Sequence, residues 1–418
     1  RLKTDPTFAK RWDGTPRFPP RVLVPIEVPY TDEEREIHAA LRQYTKLRSV
    51  RTTDNTERFA TEFVLKTLKK RLFSSPAAFL ATLERHEQSL LSAKKKSVSR
   101  PTMSVLQREF DRMDEEYADD FEYDEATADA LDSATRLFVE PTEQEIALLK
   151  QMKKWADRAR AQQDSKTKQL IEWLNENLKP GGKWSNERVI IFTEYRATQN
   201  WLQEVLATEG FGGDRLMTIY GGMDSEHREA VKAAFQTDPE KSSVRILLAT
   251  DAASEGLDFQ NFCSRLIHYE IPWNPNRMEQ RNGRIDRHGQ KADKVLVYHF
   301  VGKGYNERAN RQFSGHASEM EADLEFLMRV AQKIETIRED LGKVGPVIAQ
   351  QVEEAMLGRR TTLHTEDAER EAQPIRKMLR FERDLHKQVQ ALMEQYRETR
   401  RELRLSPENV AKVVTVAL

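Results

Sequence analysis

The stretch Arg188-Val189-Ile190-Ile191-Phe192-Thr193-Glu194-Tyr195 decides the fold of this chain. Its short, continuous apolar run is the signature of a strand buried on both faces, and it ends in polar residues. Immediately upstream, Leu170, Ile171 and Leu174 carry a helix that stops near Lys179-Pro180-Gly181-Gly182. Downstream the alternation repeats. Helix is expected over 197–208, strand over 216–220, helix over 225–235 and strand over 244–249. A strand over 265–269, a helix near 276–285 and a strand over 294–301 complete the series. Strands alternating with helices at this spacing predict an α/β unit, with a parallel sheet covered by helices on both sides. Ligands of such sheets meet the loops at the carboxyl ends of the strands. Three polar loops fall there: Thr193-Glu194-Tyr195, Gly221-Gly222 and Thr250-Asp251.

The flanks read differently. Val22-Leu23-Val24-Pro25-Ile26-Glu27-Val28 alternates like a strand, with prolines that favour an edge or isolated position. Thr31 with Glu34, and Thr142 with Glu145, form capping-box signatures that open helices. Helical patterns continue at Phe63, Leu65, Leu68 and Leu72, then from Pro76 to Leu91. An acidic run from Asp111 to Asp132 reads as a solvated or partly disordered loop, with nucleic-acid mimicry as the alternative. Helix returns over 305–345, closed by Gly342 and Gly345-Pro346. Residues 347–405 read as a charged helical hairpin or coiled-coil arm.

At 418 residues the chain has room for two or three domains. Charged residues make up 32% and the net charge is −1, so nucleic-acid binding would have to rest on local patches. A single cysteine, Cys263, excludes an internal disulfide and fits a reducing, cytoplasmic setting. No apolar run is long enough to span a membrane. The sequence opens on Arg1 and reads as an excised piece of a longer chain.

The chemistry concentrates in two places. Gln280-Arg281-Asn282-Gly283-Arg284-Ile285-Asp286-Arg287-His288-Gly289-Gln290 is expected on a helix. There Gln280, Arg284 and Arg287 would share a face. Paired guanidinium groups suit phosphate oxygens, and two on one face suit a nucleoside triphosphate during cleavage. The alternative is a solvated basic face with salt bridges to Glu279 and Asp286. The second place is Thr250-Asp251 through Ser254, Gly256 and Asp258, directly after a buried strand. Thr250 and Ser254 can hydrogen-bond a phosphate backbone. Gly256 allows close backbone approach, and Asp258 can hold a ribose hydroxyl or orient an arginine. Trp273 reads as a packed loop aromatic rather than a base-stacking platform.

Taken in order, Ile190 through Tyr195, Tyr220-Gly221-Gly222-Met223, Ala249 through Asp258 and Gln280 through Gln290 resemble the motifs of the second RecA-like lobe of superfamily 2 helicases and translocases. The paired arginines with His288-Gly289-Gln290, and Asp164-Ser165-Lys166 ahead of a leucine helix, resemble the SWI/SNF-like branch. Gly256-Leu257-Asp258 and Asn282-Gly283-Arg284 depart from eukaryotic remodellers. They are closer to bacterial members such as the RNA-polymerase-recycling ATPase and the SWI/SNF-like component of the DISARM phage-defence system. The resemblance covers about 164–303 and extends to 1–50.

The resemblance implies arginine fingers at Arg284 and Arg287, with Gln280 coupling nucleotide state to lobe closure. It places Gly256 and Asp258 on the nucleotide side, and Thr193, Gly222, Thr250 and Ser254 on the nucleic-acid backbone. ATP and Mg2+ would be held mainly by the first RecA-like lobe of the same parent protein. The sequence has no phosphate-binding loop, since Gly181-Gly182-Lys183-Trp184 lacks the upstream glycine and the hydroxyl, and it has no Asp-Glu-x-His strand end. The chain alone is therefore expected to be inactive. By this resemblance, residues 1–50 are an inter-lobe connector and 51–163 a helical insertion with an acidic loop at about 94–132. Residues 164–304 are the lobe, and 305–418 a helical extension. Double-stranded DNA is the expected partner, with a protein partner for the helical segments and no membrane. The alternatives are an RNA helicase or RNA-polymerase remodeller, and a catalytically silent nucleic-acid-binding scaffold.

Overall fold

The computed structural model describes residues 19–93, 101–114, 119–252, 258–310, 319–337 and 341–357. Six strands form one sheet: β1 (Arg21–Val28), β2 (Val189–Thr193), β3 (Leu216–Ile219), β4 (Ile246–Thr250), β5 (Arg265–His268) and β6 (Val295–Gly302). Their spatial order is β1-β6-β5-β2-β4-β3, and every pairing is parallel. The expected parallel α/β sheet is present. β1 lies at one edge, where the missing N–H of Pro25 disturbs the ladder least.

The apolar run of β2 follows from its central place. Val189 and Ile191 face one core with α7 (Ser165–Leu178), α8 (Arg196–Leu206) and α12 (Glu319–Ile337). Ile190 and Phe192 face the other, with Val231 and Phe235 of α9 (Ser225–Gln236). Each such side chain contributes about 1.5–3 kcal/mol by leaving water. Because both faces are covered, no alternation appears in the sequence.

A second core belongs to a helical bundle: α1 (Asp32–Val50), α2 (Asn55–Ser74), α3 (Pro76–Ala93), α4 (Met103–Asp114), α5 (Asp120–Thr135) and α6 (Glu143–Ala161). Both capping boxes are formed, at Thr31 with Glu34 and at Thr142 with Glu145. Glu34 also accepts from the Ser165 N–H (3.0 Å) and hydroxyl (2.6 Å), so the start of α1 is tied to the start of α7.

Two expectations are corrected. The acidic run is not a loop where it is described: α4 and α5 occupy it. Thr127, Ala130, Leu131 and Ala134 recur at helical spacing and are buried, and this stripe holds α5 despite its acids. The break expected at Gly342 and Gly345-Pro346 is also absent, because α13 (Leu341–Met356) runs through them. The arm expected after 357 lies outside the described residues. None of the described helices is long and apolar enough to cross a membrane.

Candidate nucleotide and nucleic-acid interface

Because all strands are parallel, the loops after β2, β3, β4 and β5 gather at one edge of the sheet. A buried charge network lies among them. Glu194, following β2, accepts from Lys70 of α2 (2.8 Å) and from Arg277 (3.3 Å). Burial works against its ionisation, yet Lys70 and Arg277 hold it at about 2. Glu270, following β5, accepts from the Glu194 N–H, from the Thr193 hydroxyl (3.1 Å) and from Ser74 (3.2 Å). Burial raises the Glu270 pKa, partly offset by Arg281 and Lys166.

Arg281 completes this network. Its guanidinium is fully buried and grips Asp251 with a fork, Nε to Oδ1 at 2.5 Å and Nη2 to Oδ2 at 2.9 Å. Nη1 reaches the Glu270 carbonyl at 3.3 Å. The helix that carries it, α10 (Pro275–Asn282), is opened by the Asn274 side chain, which accepts from the Asn276 N–H at 2.9 Å, and by Pro275 in its first turn.

Helix α10 stops at Asn282, three residues short of the expected end, and Gly283 caps it. Arg284 and Arg287 therefore leave the helix and sit in the turns beyond it, so a shared helical face with Gln280 does not form. Asn282-Gly283 is a C-terminal stop signal, and it outweighs the three- and four-residue spacing of the arginines. Gln280 is exposed at the last turn of α10. Arg284 is buried, and its carbonyl accepts from the Phe259 N–H at 3.1 Å. Arg287 is partly exposed; Nε donates to the Gly283 carbonyl (2.6 Å) and Nη1 pairs with Asp258. Gln290 is buried, donating to the Cys263 (2.9 Å) and Ile285 (3.0 Å) carbonyls. Glu279 and Asp286 pair with Arg21 of β1, at 2.6 and 3.8 Å. Trp273 is buried beneath Lys70, as expected of a packed aromatic.

Of the candidate backbone contacts, Thr193, Gly222 and Thr250 are brought to the same edge, where Gly222 stays exposed. Thr193 and Thr250 are fully buried. The Thr250 hydroxyl donates to Asp120 at 2.6 Å, and the Gly221 N–H donates to the same carboxylate oxygen at 2.7 Å. Gly222 adopts φ +78°, and a Cβ there would overlap the Asp119 carboxylate. Arg71 lies over Tyr195 and reaches Asp124 at 3.3 Å, while Arg196 lies over Tyr220. Ser254 and Gly256 lie outside the described residues. Among the described residues no group of three or more His, Cys, Asp or Glu is placed to hold a metal ion.

Sequence reasoning missed Arg281, Asp119 and Asp120. The signal for Arg281 was available: two carboxylates at strand ends, Asp251 and Glu270, require a buried counter-charge. Asp119 is marked locally only as the cap of α5, and nothing local marks Asp120, because the loops they meet lie a hundred or more residues away.

Residues 166–289 match the family described as the helicase conserved C-terminal domain. The chain is similar to the ATP-dependent helicase YqhH of Bacillus subtilis (strain 168), 38% identical over 141 residues, which are 34% of this chain and 22% of that protein. It is also similar to the RNA polymerase-associated protein RapA of Vibrio vulnificus (strain YJ016), 33% identical over 123 residues, 29% of this chain and 12% of that protein. Among solved structures, the C-terminal part of the Fun30 ATPase domain covers 74% of this chain and 98% of its own, at 16% identity and a TM-score of 0.37. The matched regions thus span less than a quarter of the curated relatives named here.

Proposed function

We propose that this chain, whose residues 166–289 form a helicase conserved C-terminal domain homologous to SWI/SNF-like superfamily 2 proteins, is the carboxyl-terminal half of an ATP-dependent double-stranded DNA translocase. In this reading the lobe closes on ATP and Mg2+ held by a first RecA-like lobe of the same parent protein in a cytoplasmic setting. Arg284 and Arg287 then stabilise charge that builds on the transferring phosphoryl group, and Gln280 reports nucleotide state to lobe closure. Asp258, with Gly256, lines the nucleotide side and orients Arg287. Gly222, Thr250 and Ser254 follow the phosphate backbone without reading sequence. Thr193 supports them through Glu270.

One observation carries the proposal. Residues 251 and 258, on either side of the loop after β4, are both tied to the arginine segment: Asp251 to Arg281 and Asp258 to Arg287. These two pairs support a reading in which the segment after β4 and the arginine segment move together. Arginines supplied across an interface raise phosphoryl-transfer rates roughly a thousandfold or more.

The test is DNA-stimulated ATP hydrolysis by the full-length parent protein, wild type against Arg284→Ala and Arg287→Ala. A loss of turnover by about two or more orders of magnitude with DNA binding kept is expected. Unchanged hydrolysis would leave the segment structural and favour a silent scaffold. A second reading, an RNA-polymerase remodelling ATPase, is favoured by the similarity to RNA polymerase-associated relatives. Co-purification of the parent protein with RNA polymerase, together with ATPase activity indifferent to DNA, would select it.

A further inference from the structure

The carboxyl edge of the sheet already holds an anion. Asp120 is only 6% exposed, and one of its oxygens accepts from both the Gly221 N–H and the Thr250 hydroxyl. A backbone amide and a threonine hydroxyl converging on one oxygen are the donors that would grip a phosphodiester. Asp119 lies where a side chain on Gly222 would go, and its other role is to cap α5 through the Phe121 N–H at 2.7 Å. Asp124, one turn on, meets Arg71 at 3.3 Å. Two carboxylates at the start of α5, Asp119 and Asp120, thus lie against the loops after β3 and β4, while Asp124 pairs with Arg71 of α2.

We infer that the start of α5 is an internal stand-in for a nucleic-acid backbone, which blocks the lobe's phosphate-binding loops until a phosphodiester displaces it. The inference rests on the proposed reading of Gly222 and Thr250 as backbone contacts. Energetics favour a displaceable contact over a permanent brace. Burying a carboxylate against neutral donors costs more than burying an amide or hydroxyl in the same place. Burial accordingly raises the Asp120 pKa against the two hydrogen bonds that lower it. A brace needs only the buried stripe of Thr127, Ala130, Leu131 and Ala134, which already anchors the rest of the helix in the bundle. The carboxylates add a contact that a phosphate can replace atom for atom.

The experiment measures binding of the chain to fluorescein-labelled DNA and RNA duplexes of one sequence at low salt, by fluorescence anisotropy. Wild type is compared with Asp120→Asn, Asp124→Asn and Thr250→Val. Removing the charge of Asp120 should tighten binding about tenfold, as when a competent fraction of roughly a tenth becomes nearly all. Asp124→Asn should act in the same direction but less, and the duplex bound more tightly identifies the natural source of the phosphodiester. Hydrogen exchange on the wild type gives a readout free of any variant. Saturating duplex should speed exchange at the start of α5 (residues 119–124) while slowing it across 216–222. Equal affinities for wild type and Asp120→Asn, both weakened by Thr250→Val, would refute the inference and leave the site standing. No measurable binding by wild type or by Asp120→Asn, with both folded by circular dichroism, would overturn the site and the inference together.

Discussion

Replacing Arg281 with alanine should cost the folded chain about 3–5 kcal/mol, the range for stranding a buried charge by removing its partner. The magnitude follows from what Arg281 holds. Its guanidinium is sealed from solvent and supplies both hydrogen bonds of the Asp251 fork, and it lies 3.7 Å from the Glu270 carboxylate. Glu270 is itself buried, so alanine leaves two acids facing a void. Domains of ordinary stability hold about 5–15 kcal/mol in total, so the loss should be plain in a urea titration followed by circular dichroism. Arg281→Lys should fall between, because an ammonium keeps the charge and loses the fork. Pairing Arg281→Met with Asp251→Asn should recover part of the loss, since less uncompensated charge remains. The coupling between the two sites should fall within about 0.5–3 kcal/mol. A cost below about 1 kcal/mol for Arg281→Ala, the level of an exposed pair, would refute the view that this arginine locks the carboxyl edge.

Acid should destabilise the fold through two buried histidines. Burial, aided by Arg48, lowers His86 to about 3, and burial, aided by Arg21 and Arg281, lowers His299 to about 3. Both are neutral when folded and gain protons near 6.5 when unfolded, so their stability is complete above that value and is lost as pH falls towards 3. Each contributes a slope of up to about 1.4 kcal/mol per pH unit, and melting curves that coincide at pH 7 and pH 5 would refute this. Thr31→Ala should cost about 1 kcal/mol by removing the α1 cap, and Glu34→Ala more, because Glu34 also receives both bonds from Ser165; equal urea midpoints for the two variants would contradict that tie. Gly222→Ala forces a left-handed alanine against Asp119 and should cost at least about 1–2 kcal/mol, so an unchanged melting temperature would show that the loop and α5 are not in contact.

The legible parts of this chain are those whose physics is local or repeats along the sequence. β2 and β4 announce themselves because both faces are apolar, and the two capping boxes because all their atoms lie within four residues. The spacing of Arg284 and Arg287 suggests a shared helical face, but the stop at Gly283 sets both in turns instead. What the sequence conceals is which charge meets which. Arg21 looks like one more cation in a proline-rich opening, yet it is buried between Glu279 and Glu335, each 2.6 Å away. The acids of α5 look like solvated surface, and composition alone favours a loop, because the stripe that folds them is small and partly polar. Asp120 becomes informative only when folding sets it on Gly221 and Thr250, residues that themselves look like phosphate contacts. An acidic stretch and a pair of amide and hydroxyl donors at strand ends each have an ordinary structural explanation taken singly. Their juxtaposition in the fold gives the acids an occupant's role, and it turns a question about composition into one about competition for a single site.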